Sequence, residues 1–161
     1  MLHNYLDSLG LSGDFQVPNY LTKLVPEETI AASLQVPEWW SSALQRIAYL
    51  IDLPENWDSY GAKKIDAQIA YYSVQILQQI SVPGIPMPSI VPTVRGNLQF
   101  EWHIHGIDLE FEVVSPVSIY VAYEDSLSGT EWDRELDYNL TPLSDVLKTL
   151  LSRTQANQEA A

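Results

Sequence analysis

The sequence predicts an α+β domain of two layers, a three- to five-stranded antiparallel sheet covered on one face by helices. Three observations carry that expectation. Apolar residues recur at helical spacing in two segments, 38–52 and 63–80. Their period then drops to two across 98–113, and helical spacing returns at 143–151. A sheet with a single apolar face has to be covered, and amphipathic helices in the same chain supply the cover.

Residues 1–37 show no clean periodicity and contain Gly10, Gly13, Pro18, Pro26 and Pro37. We read them as an N-terminal arm that packs on the domain or on another subunit, with Phe15, Tyr20 and Leu21 as anchors. A short helix is expected from Pro26 to Leu34, because Pro26 suits a first helical position and Glu27 and Glu28 suit a first turn. The α+β domain is assigned to 38–152, and a flexible C-terminal tail to 153–161.

Within the domain, Trp40, Ala43, Leu44, Ile47, Leu50 and Ile51 mark an amphipathic helix of about twelve residues that ends just before Pro54. A second and longer helix follows, with Ile65, Ile69, Tyr72, Ile76 and Ile80 as its stripe and Leu77 beside it. Pro83, Gly84, Pro86, Pro88 and Pro92 cannot continue that helix, so this stretch is a rigid crossing to the sheet, and SIVPTV is a candidate first strand.

Leu98, Phe100, Trp102 and Ile104 alternate with Gln99, Glu101 and His103. Ile107, Leu109, Phe111 and Val113 alternate with Asp108, Glu110 and Glu112. If His105 and Gly106 form a two-residue turn, every apolar residue of one strand faces an apolar residue of the other, and a one-residue slip destroys the match. The same register sets His103 opposite Asp108 and Glu101 opposite Glu110. Arg95-Gly96-Asn97 is the expected turn before this hairpin. A further strand is expected over Val117–Glu124. SGTEWDRELDYNL is read as a loop followed by a short edge segment, in which Glu131, Asp133, Glu135 and Asp137 of EWDRELD would discourage edge-to-edge aggregation, with a metal site as the lesser alternative. Thr141 and Pro142 read as a cap and first helical residue ahead of Leu143, Val146, Leu147, Leu150 and Leu151.

Charge narrows the function classes. The chain has 8 Lys and Arg against 21 Asp and Glu, a formal net charge of -13, and no cysteine. Disulfides, thiolate nucleophiles and cysteine-ligated metals are excluded. Few cations are free to neutralise phosphates, so no direct nucleic-acid contact is expected. No apolar run reaches membrane-spanning length, and the N-terminus lacks the basic and apolar regions of a signal peptide, so no membrane contact and a cytoplasmic location are expected. The acidity fits steering toward a basic protein partner such as a toxin, a nuclease or another nucleic-acid-binding protein. No phosphate-binding glycine loop, HExxH or GxSxG motif occurs.

Two segments stand out as candidate sites. LPENWDSYGA, residues 53–62, combines turn formers with large aromatics. We read Pro54, Trp57, Asp58, Tyr60 and Gly61 as a structural motif in which Asp58 caps backbone amides and the rings of Trp57 and Tyr60 cover one end of the core. A ligand rim is the alternative. The polar face of the hairpin places Glu101, His103, Asp108, Glu110 and Glu112 on one side, as candidates for docking a basic partner. His103-Ile104-His105 also raises a metal reading, which is set below a solvated face because His105 falls in the turn. No metal, cofactor or catalytic residue is assigned.

Leu53, Pro54, Trp57, Asp58, Gly61 and Ala62, followed by Glu101, Trp102, Glu110 and Glu112, give a pattern that resembles a family of small uncharacterised bacterial proteins. Those proteins carry an LPxxWDxxGA-like segment followed by an acidic β-hairpin. The resemblance spans residues 53–114 and implies an antitoxin-like role. The expected function is therefore a small acidic, non-enzymatic binding or adaptor protein. The alternatives are a structural subunit of a homo-oligomer, such as a homodimer served by exposed Tyr5, Phe15 and Trp39, and a metal-dependent hydrolase using His103 and Glu101.

Overall fold

The computed structural model describes residues 37–137 and 139–160. The arm, its short helix and its aromatic anchors lie outside the described residues. Helices α1 (Trp40–Ile51) and α2 (Ala67–Ile80) precede strands β1 (Ser89–Pro92), β2 (Leu98–Ile104), β3 (Ile107–Ser115), β4 (Ser118–Asp125) and β5 (Thr130–Leu136), and α3 (Thr141–Glu159) closes the chain. The strands form one antiparallel sheet in chain order, β1-β2-β3-β4-β5. The helices pack on one face, so the domain is a two-layer α+β fold. No described helix is long and apolar enough to cross a membrane.

The β2–β3 hairpin has the expected register, with Leu98 opposite Val113, Phe100 opposite Phe111, Trp102 opposite Leu109 and Ile104 opposite Ile107. His105 and Gly106 both adopt positive φ, 54° and 75°, the turn whose twist matches the strands it joins. Phe100, Phe111, Leu98, Leu109 and Val113 are fully buried, as are Ile47 and Leu50 of α1, Leu77 of α2 and Leu143 and Leu150 of α3, all in one core. The edge segment is a full strand, β5, whose Trp132 packs partly on the core with its ring centroid 5.5 Å from that of Tyr123.

Four details of the helices depart from expectation. α2 starts at Ala67, after Ile65, because the Asp66 side chain accepts from the amides of Gln68 (2.7 Å) and Ile69 (3.2 Å) and caps the helix. Its buried stripe is Ile69, Ala70, Ser73, Val74, Leu77 and Ile80, leaving Tyr72 and Ile76 half-buried. The face with the small residues lies against the core, where it permits close approach. Thr141 is already helical, and its amide is taken by Asn139 Oδ1 at 3.1 Å. α3 also runs through Glu159, beyond the boundary at 152. Thr154 is buried and Arg153 reaches back to the sheet, so the segment assigned as a tail has tertiary contacts.

The proline-rich crossing shows how its carbonyls are satisfied. Proline offers no backbone donor, so this stretch cannot bond itself into a regular element. Side chains from elsewhere donate instead. Trp39 Nε1 bonds the Ile85 carbonyl (2.7 Å), Trp102 Nε1 that of Pro86 (2.8 Å) and Arg46 Nε that of Ile90 (3.0 Å). Trp39 is thus half-buried and engaged within the domain, not an exposed aromatic.

A polar rivet joins α3 to the far ends of the hairpins. Arg153 donates from Nη1 to Asp125 Oδ1 (2.9 Å) and from Nη2 to Asp125 Oδ2 (2.6 Å), and also to the His105 carbonyl (3.1 Å). Ser128 Oγ and the amide of Leu127 also donate to the carboxylate at 2.7 and 3.0 Å, with longer bonds from the Ser128 amide and the Tyr123 hydroxyl. Arg153 first, then Ser128, hold the Asp125 carboxyl far below the usual carboxylate range against the opposing effect of burial.

Two stability predictions result. Ser73 Oγ is buried without a hydrogen-bond partner among the described residues. Ser73→Ala removes an unsatisfied hydroxyl and improves helix propensity, so it should raise stability by about 1 kcal/mol in denaturant titration. Asp125 is ionised more readily folded than unfolded, so its contribution is full above the unfolded carboxylate pKa and is lost as pH falls toward the folded one. Asp125→Asn should lower the melting temperature by several degrees at neutral pH. Thermal unfolding should show that difference shrinking as pH falls from about 5 to about 2.

Candidate functional site

The segment 53–62 is a self-bonded turn. Asp58 Oδ1 accepts from the amides of Tyr60 (2.8 Å) and Ala62 (3.0 Å), and these bonds, Ala62's foremost, lower its pKa. Asn56 Oδ1 accepts from the Gly61 amide at 2.6 Å, and the Asn56 amide donates to the Ala62 carbonyl at 2.7 Å. The turn then docks on the β1–β2 turn, through Lys63 N to Val94 O and Asp66 N to Gly96 O, both 3.0 Å. At Gly96, with φ 88°, a Cβ would stand 2.6 Å from the Lys64 carbonyl oxygen, so only glycine admits this approach. The expected cap at Asp58 is present. The expected cover by the rings is not: Tyr60 is 94% exposed, and the half-buried Trp57 spends its indole N–H on the Lys63 carbonyl at 3.2 Å. The loop closes on its own polar groups, which leaves Tyr60 pointing into solvent. Pro54 and Gly61 are also exposed.

The sheet face away from the helices carries most of the remaining ionisable chemistry. The register aligns His103, Asp108, Glu124 and Glu131 in one row across β2 to β5. The next row holds Glu101, Glu110, Ala122 and Asp133, and the third Gln99, Glu112, Tyr120 and Glu135. Among the described residues no helix covers these rows. Ala122, the small residue of the middle row, lies in an open depression of about 320 Å³ lined also by Asp108, Glu110, Glu124, Glu131 and Asp133. At the roughly 5 Å between facing residues, two unit charges repel by roughly 0.8 kcal/mol in water. Glu124 and Glu131 have no ion-pair partner among the described residues.

Glu112 does not belong to an accessible surface, and its candidacy for partner binding is corrected. It is 5% exposed and accepts from Asn97 Nδ2 (2.8 Å), Thr93 Oγ1 (3.1 Å) and the Arg95 guanidinium. The β1–β2 turn folds over it and uses its charge internally. Tyr120 OH donates to Asp133 Oδ2 at 2.5 Å, which raises the tyrosine pKa through that hydrogen bond.

His103 is the hub of the other end of the face. Its Nδ1 is bonded to Asp108 Oδ1, while Nε2 stands 3.5 Å from Glu101 Oε2 and 3.9 Å from Glu110 Oε1. Gln99 Nε2 bridges the same two glutamates, at 2.8 Å to Glu101 Oε1 and 3.1 Å to Glu110 Oε2. Burial works to lower the His103 pKa, but hydrogen bonds and charges from Asp108 and then Glu101 outweigh it and raise the pKa above the ordinary histidine value. Glu101, His103 and Glu110 each offer a donor atom within 4.8 Å of the others, a group that could hold a metal ion. His105 stands apart, its Nδ1 against Asn157 Nδ2 at 3.0 Å.

Of the five residues proposed for this face, the structure brings Glu101, His103, Asp108 and Glu110 together on the open side and withdraws Glu112. The sequence reading missed the roles of Gln99, Arg95 and Glu124. Alternation along β4 and β5 would have found Glu124 and aligned Glu131, Asp133 and Glu135 with the hairpin. The fold of Arg95 over Glu112 has no sequence signal. No family model, curated protein or solved structure matches this chain.

Proposed function

We propose that this protein binds a basic protein partner through the open acidic face of its sheet. The observation that supports the reading most is the row Asp108, Glu124 and Glu131, three carboxylates abreast on adjacent strands with no cation beside Glu124 or Glu131 among the described residues. Lysine or arginine side chains from a partner would relieve that repulsion, and the depression around Ala122 gives them a place to seat. The net charge of -13 would add long-range attraction. An antitoxin-like role is the narrower form of this reading and rests on the resemblance of residues 53–114 alone. A metal-dependent hydrolase is the second reading; it would need a cation at Glu101, His103 and Glu110 first.

The test replaces Glu124, Glu131 and Asp133 together by lysine and compares affinity capture from native lysate with the wild type. Capture at about 50 mM salt should yield a partner with a basic surface, recovered at least tenfold less by the triple variant and progressively lost as salt shortens the screening length. Equal recovery by the two proteins, or a partner indifferent to salt, would refute the docking face.

A further inference from the structure

The imidazole of His103 is bonded to Asp108 through Nδ1 and turns Nε2 toward two further carboxylates without a hydrogen bond of ordinary length to either. Charge-assisted hydrogen bonds bring nitrogen and oxygen to about 2.7–2.9 Å. Nε2 keeps 3.5 Å from Glu101 and 3.9 Å from Glu110, and lies between carboxylates delivered by two paired strands. Around a tetrahedral ion with bonds of about 2.1 Å, neighbouring donor atoms stand about 3.4 Å apart. Both separations fall close to that edge length, and all three donors lie within 4.8 Å of one another.

The surroundings match those of a ligating histidine. A metal-bound imidazole commonly gives its second nitrogen to a carboxylate, which fixes the tautomer and the ring plane. Here Asp108 holds Nδ1, so Nε2, on the side of the two glutamates, is the nitrogen that can exchange its proton for an ion. Gln99 Nε2 donates one N–H to each glutamate and orients both. The donors sit on two strands of a hydrogen-bonded ladder, so their backbone positions are fixed before any ion arrives. His103 is 45% exposed and Glu110 41% at the side chain, which leaves remaining coordination positions to water.

We propose that Glu101, His103 and Glu110 form a three-donor site for a first-row divalent cation of the Zn²⁺ type, with Asp108 as a positioning residue behind the imidazole. The mixed nitrogen and oxygen donor set favours such an ion over Mg²⁺ or Ca²⁺, which prefer oxygen throughout. This inference rests on the geometry of the three donors and is independent of the docking reading, because no partner is needed to observe it.

Calorimetric titration of the full chain with Zn²⁺, in millimolar Mg²⁺ to occupy generic acidic sites, tests it. One ion per chain should bind with a Kd in the micromolar range. His103→Gln should weaken that by more than tenfold, Asp108→Asn by about tenfold, and Glu131→Gln, elsewhere on the same face, by less than twofold. In NMR spectra Zn²⁺ should shift the ring signals of His103 and leave those of His105 in place, and Asp108→Asn should alter the His103 ring nitrogen shifts that report its tautomer. Binding no tighter than millimolar, binding indifferent to His103→Gln, or equal losses in the His103 and Glu131 variants would each overturn the proposal.

Discussion

The stack of Phe100 on Phe111, 4.7 Å between ring centroids and 13° from parallel, fixes everything else in this fold. Both rings are fully buried within the β2–β3 hairpin. Because side chains alternate strictly along a strand, placing this pair inward sends Glu101 and Glu110 outward. A one-residue slip of either strand would drive that strand's carboxylates into the core, where an uncompensated charge costs several kcal/mol or more. The register is therefore held from both sides, by the attraction of the apolar face to the helices and by the refusal of the polar face to be buried.

The helices are then secured by polar contacts at the margins of the core. Arg153 binds Asp125 and the His105 carbonyl, so one side chain of α3 spans the turns at the ends of both hairpins. At the opposite margin the turn at 53–62 is stitched to the β1–β2 turn, while indole and guanidinium donors serve the carbonyls between α2 and β1 and in β1 itself. These bonds add direction to a core whose apolar attraction has none, and they fix which end of each helix meets which end of the sheet.

Covering only one face of the sheet leaves an electrostatic problem on the other. The domain resolves part of it internally. Arg95 neutralises Glu112 while Thr93 and Asn97 donate to it, Asp108 and Glu101 flank His103, and Tyr120 donates to Asp133. What is left lies along Glu124 and Glu131 and around Ala122, where the sheet itself supplies no cation among the described residues. The two proposals meet at Asp108 and Glu110, with a small ion on the β2 side of them and a basic partner toward β5.

By itself the sequence determined the hairpin, its register and its turn, because period-two alternation in two segments must agree through a two-residue loop. It also determined the helix count within the domain and the capping role of Asp58, since these follow from spacing and from side chains that bond their own backbone. Tertiary structure alone decided which ionisable groups remain available. Glu110 and Glu112 are indistinguishable by alternation, yet one faces solvent and the other lies beneath Arg95, a residue 17 positions away. The rotated stripe of α2 and the continuation of α3 past 152 were likewise decided by contacts remote in sequence. Local pattern says which face a side chain takes, and only the folded chain says what meets it there.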